Sequence, residues 1–348
     1  MVAERRALAH TSKRDALPGH KKRKGLATAA LAASLSIFTA VTTIAPAAAS
    51  TAFADGFERG SGNRPARSAP LHVMTPPSEA ADDPVVIIFM ENKSASEIIG
   101  NSNAPYLNRF SSDGRIFTDY REGDSVGPSL PDYLQVAAGS SCGSTSDAVI
   151  AGDPSIGAAC PTTVWNQLTE AGQIWGVYME AMPTPCYDGV SFGDPVTDGP
   201  YALRHNPATP FPSVFRDPAL CASHVLPYSA FDPGALPAVS FIAPNICDDQ
   251  HGSLSTQWTN CVEDSPQLLR RGDDWLAARV PAMVAAGATV VITYDESGVL
   301  YAAEQGSGVV PGSVDPTPYT HYSILAAIEA RYGLPALGGA ETANVLPL

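Results

Sequence analysis

Four short runs of apolar, largely β-branched residues constrain this chain more than any other feature of its sequence. The runs cover residues 85–90, 174–179, 238–242 and 289–294, and none of them contains a charged side chain. Such runs are typical of strands that are buried on both faces of a parallel sheet. A sheet of this kind needs helices to cover it, so the runs favour an α/β fold.

Helical patterns lie between and after these runs, as a mainly parallel sheet requires. The candidate helices are residues 104–113, 130–138, 162–171, 273–286 and 321–332. In the last of them the apolar residues share one face, and Gly333 is a typical helix stop. Residues 181–236 and 297–319 are rich in Pro and Gly, so we expect mostly irregular loops there.

The N-terminal residues resemble an export signal. The basic run Lys21–Lys24 leads into an apolar stretch over 26–45, and residues 46–49 have the small side chains of a signal-peptidase site. We expect residues 1–49 to be a cleaved signal peptide, with a second candidate site after Ala54. An uncleaved anchor is the alternative, because the apolar stretch approaches the ~20 residues of a spanning helix.

Removal of this segment would leave a strongly acidic protein that is secreted. Residues 1–49 hold eight of the 21 basic and two of the 35 acidic residues, so 13 bases and 33 acids remain, a net charge of −20. We therefore expect neither nucleic-acid binding nor stable membrane docking. Residues 50–83 are predicted to be a flexible leader. We expect residues 84–348 to form a single catalytic domain that is monomeric.

All six cysteines follow the predicted signal peptide. An even number of cysteines in an exported chain favours disulfide bonds. Six cysteines can pair in many ways, and the sequence does not choose among them. We expect sequential pairing, as Cys142–Cys160, Cys186–Cys221 and Cys247–Cys261. A zinc cluster is the alternative, and it is disfavoured because the chain has no Cys-x-x-Cys motif.

Polar side chains follow three of the four apolar runs. They are Glu91 and Asn92 after the first run, Asn245, Asp249 and His251 after the third, and Asp295 and Glu296 after the fourth. Chemistry in open parallel sheets gathers at the carboxyl ends of the strands. One such residue is often an ordinary helix cap, but three termini together indicate a shared, oxygen-rich metal site.

Ser129 precedes the amphipathic helix predicted over 130–138. Two interpretations are open. The hydroxyl is either a helix N-cap or a nucleophile that a metal activates, facing a phosphoryl group held at the helix N-terminus.

Several short motifs occur in an order that resembles a known family. They are residues 86–94, Pro128–Tyr133, His205–Pro207, 244–251, 293–296 and 320–323. Over about residues 84–335 this chain is similar to the bacterial phosphoesterase family of the alkaline phosphatase superfamily. That family contains secreted acid phosphatases and phospholipase-C-type enzymes, and the length is closest to the small secreted acid phosphatases.

The resemblance implies a fold, a reaction and a set of residue roles. The fold would be a three-layer α/β/α sandwich, like that of alkaline phosphatase. The reaction would be metal-dependent hydrolysis of phosphate monoesters through a phosphoserine on Ser129. The implied metal ligands are Glu91, Asn92, Ser129, Asp295 and Glu296, with Mg, Mn, Ca, Zn or Fe as the ion. The other implied site residues are His205, His251 and His321 as catalytic groups, and Asn245 and Asp249 as substrate-binding groups.

One departure from the family pattern keeps alternatives open. Gly127 stands two residues before the implied nucleophile, where the family often has His. It supports the alternative of a catalytically impaired protein that binds phosphate esters. A phospholipase-C-type phosphodiesterase, with the same nucleophile and a larger leaving group, is a separate alternative. The expected substrate is a small phosphate ester, with a lipid phosphate as one candidate.

Overall fold

The computed structural model describes residues 83–124, 127–193, 199–255 and 261–348. The strands are β1 (Val85–Met90), β2 (Arg115–Arg121), β3 (Trp175–Met179), β4 (Ser191–Phe192), β5 (Tyr201–Ala202), β6 (Val225–Pro227), β7 (Val239–Ala243), β8 (Thr289–Tyr294), β9 (Ala302–Gln305) and β10 (Ser313–Thr320). The α-helices are α1 (Ala95–Ile98), α2 (Pro105–Asp113), α3 (Ser129–Ala138), α4 (Pro154–Ala159), α5 (Val164–Glu170), α6 (Pro212–Phe215), α7 (Pro218–His224), α8 (Pro266–Ala285) and α9 (His321–Tyr332). Single 3-10 turns cover Leu203–His205, Tyr228–Ala230 and Gly338–Glu341. The predicted signal peptide, and all of the predicted leader except Asp83, lie outside the described residues.

In the described ranges, eight strands form one sheet in the order β10-β2-β9-β8-β1-β7-β3-β6, and β4 and β5 form a small hairpin. Every neighbouring pair in the large sheet is parallel except the two pairs that include β9. Every residue of the central strands β8, β1, β7 and β3 is buried. The prediction of an α/β fold with a mainly parallel sheet is confirmed.

Helices cover both faces of the sheet. Phe89 in β1 packs its ring against Tyr133 of α3 and His321 of α9, so these two helices lie on one face. Tyr294 pairs in register with Met90, one residue further along β1, so its side chain points to the other face. There Tyr294 contacts Tyr301, whose hydroxyl donates to the Leu107 carbonyl in α2. The arrangement is a three-layer α/β/α sandwich.

The strands that the sequence did not predict are those without an apolar run. Residues 297–319 were expected to be irregular, but they contain β9 and most of β10. β10 is an edge strand with exposed positions and two prolines, and proline is tolerated in a sheet at such an edge. Residues 181–236 contain α6, α7 and three short strands, each too short for a periodic pattern.

Local capping explains where the long helices begin and end. α8 begins at Pro266, seven residues before the predicted start, because the Ser265 hydroxyl accepts the Leu268 N–H at its N-terminus. α9 starts with a capping box between Thr320 and Ser323 and ends at Gly333 in the left-handed conformation, at φ 63°.

Three disulfide bonds join the cysteines in sequential order. They are Cys142–Cys160, Cys186–Cys221 and Cys247–Cys261, the pairing that the sequence predicts. In the described part of the chain no cysteine is free. None of the described helices is long and apolar enough to cross a bilayer.

The buried carboxyl of Glu329 in α9 makes the stability of the fold depend on pH. Its Oε1 accepts the Leu337 N–H at 2.9 Å, while its Oε2 has no hydrogen-bond partner in the described ranges. Burial raises the pKa of Glu329 to about 8. The folded state therefore holds this proton more tightly than the unfolded chain, whose glutamate has a pKa of ~4.3. The stabilisation that the neutral Glu329 carboxyl contributes is fully present below pH ~4.3 and is lost as pH rises through about 8.

We predict that Glu329→Gln becomes more stable than the wild type as pH rises. The free energy of unfolding of the variant minus that of the wild type should grow by up to roughly 1.4 kcal/mol per pH unit between pH ~4.3 and about 8, and should stay constant above about 8. Urea denaturation at pH 5, 7 and 9 with disulfides intact measures it. Glu170→Gln, at an exposed position ending α5, is the matched control. A difference that does not change with pH would contradict the prediction.

Candidate functional site

Two acidic residues stand side by side because β1 and β8 pair in register. Met90 lies opposite Tyr294 at the carboxyl ends of the two strands, so the next residues, Glu91 and Asp295, emerge together. The Asp295 N–H donates to the Met90 carbonyl at 3.2 Å. The Asn92 N–H donates to Asp295 Oδ1 at 3.0 Å, with Asn92 in the left-handed region at φ 54°. The turn after β1 is thus tied to the turn after β8.

The Ser129 hydroxyl faces these carboxylates and does not cap α3. Ser129 is the first residue of the helix, and its Oγ donates to Glu91 Oε2 at 3.0 Å and to Glu296 Oε1 at 3.4 Å. Only 1% of the residue is exposed. The N-cap interpretation is therefore wrong, and the hydroxyl belongs to an acidic cluster.

The cluster of Glu91, Asp295 and Glu296 fits a divalent cation. Ligand oxygens from the three residues lie within 4.8 Å of one another. Asn92 Nδ2 donates to Glu296 Oε1 at 2.9 Å, while Asn92 Oδ1 and Asp295 Oδ2 are buried without a hydrogen-bond partner among the described residues. Buried carboxylates need compensation by a positive charge, and unpaired oxygen donors are the ligands that hard cations take. The residues present therefore fit a bound metal ion.

Burial and mutual repulsion shift the pKa values of these acids. Burial raises the pKa of Glu91 well above its usual range, and the neighbouring charges of Asp295 and Asp249 add to the shift. Burial, followed by the Asp295 charge, raises the pKa of Glu296 to about 7. A bound cation would oppose both effects, because it stabilises the ionised forms.

His205 lies between two buried carboxylates. Its Nε2 is 3.2 Å from Glu91 Oε1 and its Nδ1 is 3.2 Å from Asp249 Oδ2. Within the part of the chain that the structure describes, neither His205 Nε2 nor Asp249 Oδ2 makes a hydrogen bond. Burial lowers the pKa of His205 well below its usual range, which favours the neutral ring. The Nε2 lone pair of a neutral imidazole is a metal ligand, so Glu91 borders a second group of donors.

His251 completes that second group and faces outward. Ligand atoms of Glu91, His205 and His251 lie within 4.8 Å of one another. His251 Nδ1 is 2.8 Å from the Gly252 carbonyl, which can only accept, so Nδ1 carries the proton. Nε2 is left with a lone pair, 3.3 Å from Nη2 of Arg204. Burial lowers the pKa of His251 as well.

The side chains of two predicted site residues, His321 and Asn245, contact other protein groups and not the Ser129 hydroxyl. His321 is fully buried, with Nε2 2.7 Å from the Asp295 main-chain oxygen and Nδ1 3.1 Å from the Tyr120 hydroxyl. Burial lowers its pKa to about 4. Both ring nitrogens contact protein groups behind Asp295, which favours a positioning role for His321 over the expected catalytic role.

Asn245 likewise supports the site from outside. Its side-chain nitrogen donates to Glu180 and Asp248, and its oxygen accepts the N–H groups of Cys247 and Asp248. The expected role of Asn245 in binding substrate is replaced by holding the turn that carries Asp249. Asp249 itself lies in the cluster beside His205.

Two supporting residues were missed by the sequence analysis. The Tyr133 hydroxyl donates to Glu91 Oε1 at 2.5 Å, and its ring stacks on His205 at a centroid distance of 5.2 Å. Tyr133 lies four residues after Ser129, so the helical spacing could have shown that both share one face. Glu122 accepts the N–H groups of Ser297 and Gly298 and so fixes the turn after Glu296. No sequence signal pointed to Glu122.

Gly127 stands where a side chain would collide with the cluster. Its backbone has φ 50°, and a Cβ atom built on it would meet the Glu296 carboxylate. The position that often holds His in the family is therefore occupied here by the Glu296 side chain.

Comparisons with known proteins agree with one another. A sequence profile described as the Phosphoesterase family matches residues 104–303. A phosphatidylinositol-3-phosphatase of Mycobacterium tuberculosis is 31% identical over 276 residues, covering 74% of this chain and 80% of that protein. A phosphate-repressible acid phosphatase of Penicillium chrysogenum is 28% identical over 273 residues, and an acid phosphatase of Aspergillus fumigatus is 25% identical over 281.

The matched regions differ in how much of each protein they cover. The two fungal matches cover 74% and 75% of this chain but only 61% and 57% of the relatives' own lengths. Among solved structures, an alkaline phosphatase superfamily protein of Vibrio parahaemolyticus is similar at a TM-score of 0.46. It shares 10% identity, with 76% of this chain and 70% of that chain covered.

We predict that Asp295→Asn binds divalent cations less tightly than the wild type, by about 100-fold or more. The amide can still accept the Asn92 N–H, but it removes one negative charge from the donor group. Titration calorimetry with Mn²⁺ and with Zn²⁺ measures the affinity without any assay of turnover. Asp274→Asn, an exposed residue of α8 paired with Arg270, is the control. Equal affinities for Asp295→Asn and the control would remove Asp295 from the donor set.

Gly127→Ala should also weaken cation binding, because the new methyl group displaces the Glu296 carboxylate. Gly308→Ala is a matched control. Gly308 has a similar positive φ of 78°, but a Cβ there meets nothing within 4 Å. Both variants should lose about 1 kcal/mol of stability through the strained backbone, and only Gly127→Ala should lose affinity in the same calorimetric titration. Loss of affinity in both would attribute the effect to backbone strain.

Proposed function

Because this chain belongs to the Phosphoesterase family and is a phosphoric ester hydrolase, we propose that it hydrolyses phosphate monoesters with Ser129 as the nucleophile. The observation that carries the proposal is the contact of the buried Ser129 hydroxyl with Glu91 Oε2 at 3.0 Å. This contact aims a weak nucleophile into an acidic group that fits a cation. The names of the mycobacterial and fungal relatives support a phosphatase acting on monoesters.

We expect the metal ion to lie beside Ser129, on the side that faces the acidic cluster. Glu91, Asn92, Asp295 and Glu296 would hold the ion, together with the Ser129 hydroxyl. A bound divalent cation would lower the pKa of that hydroxyl and neutralise charge on the phosphoryl oxygens. Oxygen donors suit Mg, Mn or Ca, and the neighbouring imidazoles of His205 and His251 also admit Zn or Fe.

The reaction would proceed in two steps, transfer of the phosphoryl group to Ser129 and its hydrolysis, and residues of this chain would position the reacting groups. Ser129 Oγ loses its proton towards the Glu91 carboxylate and attacks phosphorus, and the bond from phosphorus to the ester oxygen breaks. The departing alkoxide takes a proton from a water molecule, and the phosphate remains on Ser129. The hydroxide so formed then attacks the same phosphorus, the bond to Oγ breaks, and Oγ takes back its proton from Glu91. Tyr133 holds Glu91 in place through its hydrogen bond to Oε1.

The impaired-scaffold alternative rested on Gly127. The side chain of Glu296 occupies the space beside this glycine, so the absence of a histidine there leaves no gap in the cluster. The diester alternative shares the same nucleophile and becomes an outcome of the test below.

Export is part of the proposal. Three disulfides in the described residues and the relatives named acid phosphatase support a secreted enzyme. Residues 1–49 would supply the signal peptide, and residues 84–348 would act as a monomeric catalytic domain on a small phosphate ester. The formal net charge of −14 argues against a nucleic-acid substrate.

We predict that Ser129→Ala lowers the turnover of p-nitrophenyl phosphate by about a thousandfold or more. The wild type should prefer this monoester to bis(p-nitrophenyl) phosphate and lose activity when a chelator removes the metal. Rapid acid quenching followed by peptide mass spectrometry should find phosphate on Ser129. Ser323→Ala, in the capping box of α9, is the serine control.

Other results would separate the alternatives. Preference for the diester would replace the proposed reaction by phosphodiester hydrolysis. Ester binding without turnover under any of the five metals would indicate an impaired scaffold. Full activity of Ser129→Ala would exclude Ser129 as the nucleophile.

A further inference from the structure

Several large apolar side chains are exposed beside the candidate site. Leu254 is 84% exposed, Val190 61%, Ile150 57% and Phe192 49%. Single exposed apolar residues are ordinary, but a group of them around a site indicates a surface that an apolar ligand covers. Three of them, Ile150, Val190 and Leu254, belong to segments that are distant in sequence and line cavities that include Arg204.

Two cavities meet at Arg204. The first has a volume of about 660 Å³, and its wall includes Ile150, Val190 and Asp147. The second has a volume of about 560 Å³, and its wall includes Leu254, Tyr201 and His251. Arg204 and Ser191 line both cavities, so the two are neighbouring parts of one depression. Phe192 stands next to Ser191 and pairs with Tyr201 across the β4–β5 hairpin.

Both cavities adjoin the cluster that contains the nucleophile. His251 in the wall of the second cavity is one of the donors grouped with Glu91. Asp147 in the wall of the first cavity accepts the N–H of Leu130, the residue that follows Ser129, at 3.1 Å. The walls of the two cavities therefore include residues that contact the surroundings of Ser129.

Arg204 makes the inner end of this depression positively charged, in contrast to its apolar outer end. Its Nη2 lies 3.3 Å from His251 Nε2, and its buried Nε is 3.6 Å from Asp147 Oδ2, without a hydrogen bond to any residue that the structure describes. The guanidinium is ion-paired with Asp147, and its position beside a phosphoryl-transfer site favours contact with an anionic group of a ligand. The anionic end of a ligand would thus lie inward at Arg204, and its apolar end would lie outward on Leu254, Ile150 and Val190.

We propose that this depression is the subsite for the leaving group and that it selects monoesters whose alcohol is apolar. The proposal rests on the proposed function, since the subsite matters only if Ser129 attacks a phosphate ester. Alkyl phosphates fit the two ends of the depression, because they join one anionic group to an apolar chain.

Two substrates with similar leaving groups test the proposal. n-Hexyl phosphate and glycerol 3-phosphate are both monoesters of primary alcohols, and they differ mainly in the polarity of the alcohol. Release of inorganic phosphate gives kcat/KM for each. The variants are Ile150→Ser with Leu254→Ser as a double substitution, and Val314→Ser as control. Val314 is 63% exposed on β10 and lines neither cavity.

The wild type should prefer hexyl phosphate, and the double variant should lose about tenfold of that preference. Its turnover of glycerol 3-phosphate should match the wild type, which also shows that the variant is folded. An unchanged ratio, with both esters still hydrolysed, would overturn the subsite and leave the proposed function intact. Failure of the wild type to hydrolyse either monoester would overturn the proposed function itself.

A third experiment tests whether the preferred substrate is a dissolved alkyl phosphate or an alkyl phosphate held in a lipid surface. Hexadecyl phosphate is embedded in phosphatidylcholine vesicles and compared with dissolved hexyl phosphate. The subsite binds one alcohol at a time, so the dissolved ester should be the better substrate. The contrary result has two parts. Turnover would be faster on vesicles and this advantage would be lost in the double variant, while the ratio of kcat/KM for hexyl phosphate to that for glycerol 3-phosphate would stay constant. It would reassign the apolar side chains to membrane contact and overturn the subsite.

Discussion

The parallel pairing of β1 with β8 is the constraint from which the rest of the site follows. Because the two strands are in register up to Met90 and Tyr294, the chain must place Glu91 and Asp295 together where the sheet ends. Neither residue is exposed, so their charges cannot be screened by water. The same register ties the two turns together through the Asn92 N–H. An acidic centre is thus built into the most deeply buried part of the fold.

Much of the surrounding structure serves to hold these acids against their mutual repulsion. Tyr133 donates to Glu91, His321 holds the main chain of Asp295, and Glu122 fixes the turn after Glu296. None of these groups neutralises the negative charge. The fold supplies geometry, and a cation would supply the charge balance. This division of labour is common in phosphoryl transfer, where positioning and electrostatic stabilisation do most of the catalysis.

The central sheet and the acidic residues could be predicted from the sequence because both follow from local pattern. The runs that form β1 and β8 have no alternative to burial, and Glu91 and Asp295 directly follow them. β10 could not be predicted, because its prolines and polar residues are acceptable only at an edge that the sequence does not mark. His321 has the same residue type as a catalytic base, and only its contacts with Tyr120 and Asp295 show that both nitrogens are occupied.

The three disulfides enclose the parts of the site that the sheet does not hold. The loop closed by Cys142–Cys160 carries Asp147 and Ile150, that closed by Cys186–Cys221 carries Arg204 and His205, and that closed by Cys247–Cys261 carries Asp249, His251 and Leu254. Glu91, Ser129, Asp295 and Glu296 lie outside all three loops. Covalent closure limits the conformations of irregular loops. Thiol reductants should therefore loosen the imidazoles and the depression around Arg204 while the carboxylates stay in register.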